Sequence, residues 1–175
     1  GELLAFVTYS NGLFPFSFCV LAKAMLCLSN LLRRDPVSNK LIIAKFGGTS
    51  VADFDAMSRC ADIILADENI RVIVVSASSG VTNLLVDITK TTDVHVRYDA
   101  YAGIERITLN VLNRFQQPQQ VAQAIELLLG ELKALIENGG AVYNSAHKDL
   151  IQSFGERLSS VLFAQVLVER EASAL

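Results

Sequence analysis

The sequence predicts an α/β fold with parallel strands, and three patterns carry the prediction. Residues 41–44 form a short apolar run, and residues 72–75 are all β-branched, as is typical of a strand buried on both faces of a parallel sheet. Between them, apolar residues recur at helical spacing; they are Val51, Phe54, Met57, Ala61 and Ile64. A strand, a helix and a second strand in this order form the unit that joins parallel strands.

The first helix is predicted to begin with a capping box formed by Ser50 and Asp53. Two strands do not make a stable sheet, so we expect the fold to continue beyond Leu175 or to be completed by another chain. Further helical patterns follow the second strand, and Pro118 and the Gly139-Gly140 pair are predicted breaks. These patterns cover about residues 83–92, 98–115, 119–138 and 148–170.

The composition favours a small-molecule enzyme or a protein-binding domain. A length of 175 residues suits one domain, and a net charge of −3 gives no general attraction to nucleic acid or anionic lipid. The three cysteines have no CxxC spacing and are expected to be buried apolar side chains in a reducing compartment. They are Cys19, Cys27 and Cys60, and neither histidine lies near one of them, so no zinc site is predicted.

The chain is predicted to divide near residue 39. Across residues 3–32 the sole charged side chain is Lys23, and residues 12–32 have about the length of a membrane span. Lys23 near the middle opposes insertion, and the basic residues follow the apolar run, unlike those of a signal peptide. We expect residues 1–38 to be an apolar extension of uncertain origin. It is translated upstream sequence or an artefact, an extension packed on the domain, or, as the least expected case, a membrane segment.

The first chemical motif runs from Lys45 to Ser50, where the first strand ends and a helix is predicted to begin. Gly47 and Gly48 allow a sharp turn that brings backbone N–H groups close to a phosphate, and the helix start adds its positive dipole end. Lys45 can neutralise charge on a transferring phosphoryl group. The motif is not a Walker A loop. The alternative is a tight turn with a capped helix and a solvated lysine.

The second motif covers residues 76–83, at the end of the second strand. Ligands of open parallel sheets gather at the carboxyl ends of strands. Ser76 and Thr82 can donate hydrogen bonds to phosphate or carboxylate oxygens, and Gly80 permits close backbone approach. Alternatively, Thr82 or Asn83 caps the next helix.

The third motif covers residues 153–157, inside the last helical pattern. A helical glycine costs about 1 kcal/mol relative to alanine, so a packed neighbour or a ligand is expected beside Gly155. Glu156 can accept hydrogen bonds from an ammonium group. Alternatively, Glu156 and Arg157 lie on a solvated helix face.

Together the three motifs resemble those of the aspartate kinase family of the amino-acid kinase fold. Residues 45–51 match the family's KFGGTSV opening, residues 76–83 are similar to its SAxxGxTN loop, and residues 153–157 resemble its SxGE segment. Residues 52–57 are close to the lysine-sensitive bacterial branch. The resemblance covers about residues 41–171.

The resemblance implies a three-layer α/β/α fold with a mainly parallel sheet, of which residues 39–175 would be the amino-terminal part. The implied reaction is ATP-dependent phosphorylation of the L-aspartate side-chain carboxylate, the first step of lysine, threonine and methionine synthesis. Mg-ATP would be the co-substrate, with no tightly bound cofactor and no metal-ligating residue. The parent protein would be a cytoplasmic homo-oligomer without nucleic-acid or membrane partners.

The resemblance also implies roles for individual residues. Lys45 would be the catalytic residue and would contact the transferred phosphate, and Thr82 and Glu156 would bind aspartate. The other ATP- and phosphate-binding residues would be Gly47, Gly48, Thr49, Ser50 and Ser76.

The family's later substrate loop, adenosine pocket and ACT regulatory domains have no counterpart in this sequence. We therefore expect the isolated chain to be inactive. The alternatives are a non-catalytic truncated remnant, or another enzyme of the same fold that acts on glutamate, carbamate or a nucleotide.

Overall fold

In the part of the chain that the structure describes, three parallel strands form a sheet with helices packed against it. The computed structural model describes residues 4–5, 42–139 and 142–173. Its strands are β1 (Leu4–Ala5), β2 (Ile42–Phe46) and β3 (Ile70–Val75), in the spatial order β1-β3-β2. The two predicted strands are confirmed, and β1 is a third strand that the sequence patterns did not predict.

The register of β2 and β3 brings their carboxyl ends side by side. Phe46 pairs with Val75, and Lys45 pairs with Val74. The ladder is irregular between Ile42 and Ile43 and regular from there to the end. The loops that follow the two strands therefore start next to each other.

The five α-helices in the described part of the chain agree with the predicted helical patterns. They are α1 (Phe54–Leu65), α2 (Val81–Lys90), α3 (Val94–Leu112), α4 (Gln119–Asn138) and α5 (Ser145–Ser173). Pro118 is the N-cap of α4 and Gly139 is its C-cap, so the predicted breaks at these two residues are confirmed, while Gly140 lies outside the described residues. Asp93 begins α3 by accepting a hydrogen bond from the backbone N–H of His95 at 2.8 Å.

The predicted capping box at Ser50 is wrong. Gly48–Val51 forms a 3₁₀ turn, in which the N–H of Ser50 donates to the carbonyl of Gly47 at 2.9 Å. The α-helix starts later, at Phe54, and its N-cap is Asp53, whose Oδ1 accepts from the N–H of Ala56 at 2.8 Å. Aspartate and serine are equally suitable N-cap residues, so the local sequence fits a helix start at either Ser50 or Asp53. The close approach of Gly48 to the next loop favours the later start.

One face of β2 packs on the core and the other is exposed. Ile42, Ala44 and Phe46 pack against the core, whereas Ile43 is 61% exposed and Lys45 is also exposed. The ring of Phe46 lies 5.9 Å from the ring of Phe163 on α5, which ties the end of β2 to this helix. An exposed sheet face in an α/β fold is what a partial domain presents.

The predicted apolar extension lies outside the described residues, except for Leu4–Ala5. Leu4 pairs with Val72 and Ala5 with Ile73. Among the helices that the structure describes, none is both long enough and apolar enough to cross a membrane.

The prediction that the cysteines are buried is confirmed for Cys60, which is 7% exposed and not disulfide-bonded. Cys19 and Cys27 lie outside the described residues.

Candidate functional site at the carboxyl ends of β2 and β3

Two loops leave the sheet at the adjacent ends of β2 and β3 and remain in contact. The N–H of Ser76 donates to the carbonyl of Phe46 at 3.1 Å, which extends the strand pairing by one residue. Further out, the N–H of Ser79 donates to the carbonyl of Gly48, also at 3.1 Å. The first two sequence motifs therefore form one surface at the end of the sheet.

The loop after β2 is shaped by two glycines with different surroundings. A Cβ atom on Gly48 would lie 2.7 Å from the carbonyl oxygen of Ala77, closer than real Cβ contacts allow. A Cβ atom on Gly47 would have no heavy atom within 4 Å. Close backbone approach is thus required at Gly48, whereas Gly47 faces open space.

The same loop leaves backbone N–H groups available. Gly48 and Thr49 are the first residues of the 3₁₀ turn, and the first residues of a helix have no internal partner for their N–H groups. Within the described residues, these two groups donate no hydrogen bond. Thr49 is exposed and Ser50 is half-buried. The turn offers donors to an anion, but it is one turn long and the helix dipole expected from the sequence is correspondingly small.

Lys45 lies on the exposed face of β2, two residues before this loop. Its neighbour across the ladder is Val74. Among the residues that the structure describes, no carboxylate or other hydrogen-bonding group contacts the Lys45 side chain. Its ammonium group is therefore free to pair with an anion at the end of the sheet.

The loop after β3 carries Ser76 and leads into α2. Gly80 has φ +86°, a left-handed conformation that favours glycine, and is the N-cap of α2. Thr82 lies exposed in the first turn of α2. The alternative that Thr82 or Asn83 caps this helix is therefore wrong.

The third motif reaches the same place through α5. A Cβ atom on Gly155 would lie 2.5 Å from the Cβ of Ala77 and 3.2 Å from Cδ1 of Leu85. Of the two explanations for this glycine, the packed neighbour is confirmed. Glu156 follows it and is half-buried. No cationic or hydrogen-bonding side chain in the described part of the chain contacts the Glu156 carboxylate.

Arg157 does not lie on a freely solvated face. Its guanidinium pairs with Glu131 of α4 at 2.8 Å and lies 4.4 Å from the ring centre of Phe154. Arg157 therefore links α5 to α4.

A cleft of about 310 Å³ adjoins the site on the side of Ser79. Its polar walls include Asp53, Asn110 and Arg114, and Arg114 pairs with Asp55 at 2.9 Å. In the described ranges, no three His, Cys, Asp or Glu side chains are grouped so that they could hold a metal ion.

Residues 40–174 match the sequence profile of the amino acid kinase family. This match covers more than half of the 175-residue chain. The chain belongs to the amino acid kinase family. The family resemblance and the predicted fold class are thereby confirmed.

Aspartokinases are among the relatives of this amino acid kinase chain. Lysine-sensitive aspartokinase 3 of Escherichia coli K12 is 40% identical over 136 residues, which are 78% of this chain and 30% of that protein. A Haemophilus influenzae protein, named as a proposed inactive aspartokinase 3, is 70% identical over 46 residues, which are 26% of this chain and 38% of that protein. The chain thus spans 30% and 38% of the length of these two relatives.

Solved aspartokinase structures have the same fold. E. coli aspartokinase III with lysine and aspartate, in its T-state, superposes with a TM-score of 0.73 at 41% identity, over 76% of this chain and 30% of that chain. The R-state structure with aspartate and ADP gives a TM-score of 0.72 at 41% identity, over 75% of this chain and 29% of that chain. The chain is therefore a partial domain of the amino acid kinase fold.

Two contacts beneath the site of this amino acid kinase domain were missed by sequence reasoning. The hydroxyl of Ser159 donates to the carbonyl of Ser76 at 2.8 Å. The thiol of Cys60 donates to the carbonyl of Ser50 at 3.3 Å, and burial raises the pKa of this thiol above its ordinary value, with a smaller opposing effect from Arg59. Both contacts join residues from different elements, and no local pattern in the sequence indicates them.

Proposed function

We propose that this chain is part of an aspartate kinase. In the proposed reaction, an oxygen of the L-aspartate side-chain carboxylate attacks the γ-phosphorus of ATP in line with the bond to the β-phosphate oxygen. A new P–O bond forms, the bond to ADP breaks, and the products are 4-phospho-L-aspartate and ADP. This reaction would be the first step of lysine, threonine and methionine synthesis.

One observation carries the proposal. Three separate motifs converge at the carboxyl ends of β2 and β3, and two opposite charges there, Lys45 and Glu156, have no partner among the described residues. Lys45 is exposed and Glu156 is half-buried, so both charged groups are accessible to a ligand. A substrate that carries both an anionic and a cationic group would pair with Lys45 and with Glu156.

The phosphate side of the proposed site is built from β2 and its loop. Lys45 would be the catalytic residue, neutralising charge that develops on the transferred phosphoryl group. The backbone donors of the 3₁₀ turn and the hydroxyl of Ser76 would bind phosphate oxygens; the turn residues are Gly47, Gly48, Thr49 and Ser50. Two observations support these phosphate contacts. Gly48 and Thr49 have free N–H groups, and the Ser76 hydroxyl makes no hydrogen bond within the described residues.

The aspartate side of the proposed site is built from α2 and α5. Glu156 would accept hydrogen bonds from the α-ammonium group, and the exposed hydroxyl of Thr82 would donate to a substrate carboxylate. Support comes from the packing of Gly155 against Ala77, which sets Glu156 beside the loop that carries Ser76.

Catalysis in this proposal comes from positioning and charge neutralisation, without a covalent enzyme intermediate. Mg²⁺ would accompany ATP, because this ion is held mainly by substrate phosphates and retained waters. We assign no metal ligand to the protein and no tightly bound cofactor.

We further propose that residues 39–175 are the amino-terminal part of the catalytic domain, with residues 1–38 as an extension. The parent protein would be a homo-oligomer in the cytoplasm, where ATP is available. Isolated residues 1–175 would lack an adenosine pocket and would turn over slowly or not at all.

A second candidate is a catalytically inactive protein that keeps this fold. The observation that favours it is the 70% identity over 46 residues to the relative with the inactive name. Under this alternative, Lys45 and Glu156 would remain in place without turnover.

The deciding experiment measures ADP formation by the protein that carries this chain, with Mg-ATP and L-aspartate. Trapping with hydroxylamine identifies the acyl phosphate, because acyl phosphates and not phosphate esters give hydroxamates. We expect ADP and hydroxamate in equal amounts, and neither product with L-glutamate. ADP release that does not depend on aspartate would refute the proposal, and absence of both products would favour the inactive protein.

A further inference from the structure

Helix α5 contacts the end of β3 at two points one helical turn apart. Ala77 fills the notch left by Gly155, where a Cβ atom would lie 2.5 Å away from the Cβ of Ala77. Four residues further along, the hydroxyl of Ser159 donates to the carbonyl oxygen of Ser76 at 2.8 Å. Residues four apart share a helix face, so one face of α5 holds two consecutive residues of the loop.

The Ser159 hydroxyl has a second carbonyl within reach, on its own helix. Its distance to the carbonyl of Glu156 is 3.2 Å, against 2.8 Å to Ser76. Serines in helices commonly satisfy their hydroxyl on the preceding turn. Here the shorter bond goes to another element, and the side chain is 1% exposed. A buried hydroxyl needs a hydrogen-bond partner, and the carbonyl of Ser76 is the nearer of its two acceptors.

The contact fixes the peptide groups on both sides of Ser76. Its N–H is bound to Phe46 at the end of β2, and its carbonyl is bound to Ser159. The Ser76 side-chain hydroxyl has no hydrogen bond within the described residues. The next bond along the loop, from Ser79 N–H to Gly48 carbonyl, holds the turn that follows β2. Rotation of the Ser76–Ala77 peptide would therefore move both loops.

We propose that Ser159 is a positioning residue that holds Ser76 and, through Ser79, the 3₁₀ turn Gly48–Val51 in register with the helix that carries Glu156. The inference rests on the proposed function for the roles of Ser76 and Glu156, while the coupling itself concerns the chain's own hydrogen bonds. Ser159 touches no substrate in this proposal. It acts by keeping the phosphate-binding and aspartate-binding parts in one fixed arrangement.

The first test uses amide hydrogen exchange on the chain with Ser159→Ala, and Ser160→Ala as the matched control. Ser160 is the next residue, is buried to 9% exposure, and its hydroxyl donates to the Glu156 carbonyl and not to Ser76. We expect the Ser76 and Ser79 amides to exchange about tenfold faster in Ser159→Ala, as expected for loss of one intramolecular hydrogen bond. Amides of α1 should be unchanged, and Ser160→Ala should leave the Ser76 and Ser79 amides at their wild-type rates.

Equal acceleration across the whole chain in Ser159→Ala would overturn the proposal, because it would show a general loss of stability. The proposal would also be overturned if the Ser76 and Ser79 amides exchanged at the same rates in Ser159→Ala as in Ser160→Ala. If Ser159→Ala does not fold, Ser159→Cys replaces it. Cysteine keeps the shape with a weaker donor, and a smaller acceleration confined to the same amides is expected.

The second test measures turnover in the protein that carries this chain. We expect Ser159→Ala to lower kcat about tenfold with KM values for aspartate and ATP close to wild type, and Ser159→Cys to recover part of the loss. A raised KM with unchanged kcat would overturn the positioning role. If the wild-type protein forms no 4-phospho-L-aspartate, the proposed function fails, and the exchange measurement still decides the coupling.

Discussion

The carbonyl oxygen of Ala77 lies 2.7 Å from the point where a side chain on Gly48 would begin. This oxygen belongs to the backbone, so it cannot rotate away as a flexible side chain would. The N–H of Ser79 bonds to the Gly48 carbonyl at 3.1 Å and draws the two loops together at the same place. Glycine at position 48 is therefore a steric requirement for contact between the loops that follow β2 and β3.

We expect Gly48→Ala to lower the free energy of unfolding by about 1–3 kcal/mol, the usual cost of overpacking. Gly47→Ala is the matched control, because Gly47 has φ −78° and no heavy atom within 4 Å of a Cβ position. The control should leave stability unchanged or raise it by up to about 1 kcal/mol. Urea denaturation of both variants measures the difference, and equal stabilities would contradict the steric account.

Gly155→Ala should also destabilise the chain by about 1–3 kcal/mol, since its Cβ would lie 2.5 Å from the Cβ of Ala77. Adding Ala77→Gly removes the opposing methyl group, so the double variant should recover part of the loss. Gly130→Ala on α4 is the control, because its Cβ would meet no heavy atom within 4 Å. That variant should be stabilised by about 1 kcal/mol through helix propensity. Additive effects of Gly155→Ala and Ala77→Gly would refute the contact.

These glycines show what the sequence could predict and what it could not. The apolar periodicities predicted β2, β3 and the helices because they depend on residues close together in the chain. The cost of a helical glycine predicted a neighbour beside Gly155, but the identity of that neighbour, Ala77, is a tertiary fact. The need for glycine at position 48 likewise comes from a loop that folds against it from another strand.

The other differences between the sequence predictions and the structure also arise from contacts between residues far apart in the chain, or from elements too short to recognise. Ser50 and Asp53 both suit a helix N-cap, and tertiary contact decides between them. Strand β1 has two residues, Leu4–Ala5, which is too short for an alternating pattern to be recognised. The bond from Ser159 to Ser76 leaves no sequence signal because serine is common on helix faces. Family resemblance predicts which residues surround the site, and the packing at Gly48, Gly155 and Ser159 explains how the loops that carry them are held.

Lys45→Ala in the protein that carries this chain should reduce kcat by hundreds-fold. Removing one charge that acts mainly in the transition state costs about 3–4 kcal/mol, and the KM for aspartate should change much less. Steady-state ADP formation provides the measurement. Lys90→Ala is the control, because Lys90 is exposed at the far end of α2. Turnover near wild type in Lys45→Ala would remove Lys45 from the catalytic role.

Glu156→Gln should raise the KM for aspartate at least about tenfold, as expected when a hydrogen bond to a charged group is weakened. The KM for ATP should remain near wild type, because Glu156 is proposed to bind the α-ammonium group of aspartate and no phosphate oxygen. Glu126→Gln, at an exposed position of α4, controls for the loss of one negative charge. Weaker ATP binding with unchanged aspartate binding would mean that Glu156 serves the nucleotide.

Removal of residues 1–38 should preserve cooperative unfolding and, in the protein that carries this chain, turnover. The reason is that β2 and β3 pair with each other along their length, and the fully buried core residues in the described part of the chain all lie beyond residue 50. The deletion removes β1, which pairs with β3 through Leu4 and Ala5. A two-residue edge strand contributes few hydrogen bonds, so its loss should be tolerated, and solubility should improve because an apolar run is removed. Thermal unfolding followed by circular dichroism measures the outcome.

Ala5→Pro in the full chain is the companion variant, because proline removes a backbone donor from β1 and leaves the rest of residues 1–38 in place. A deletion variant that loses its cooperative transition while Ala5→Pro retains it would show that other residues of the extension are part of the folded domain, and the proposed boundary near residue 39 would be wrong.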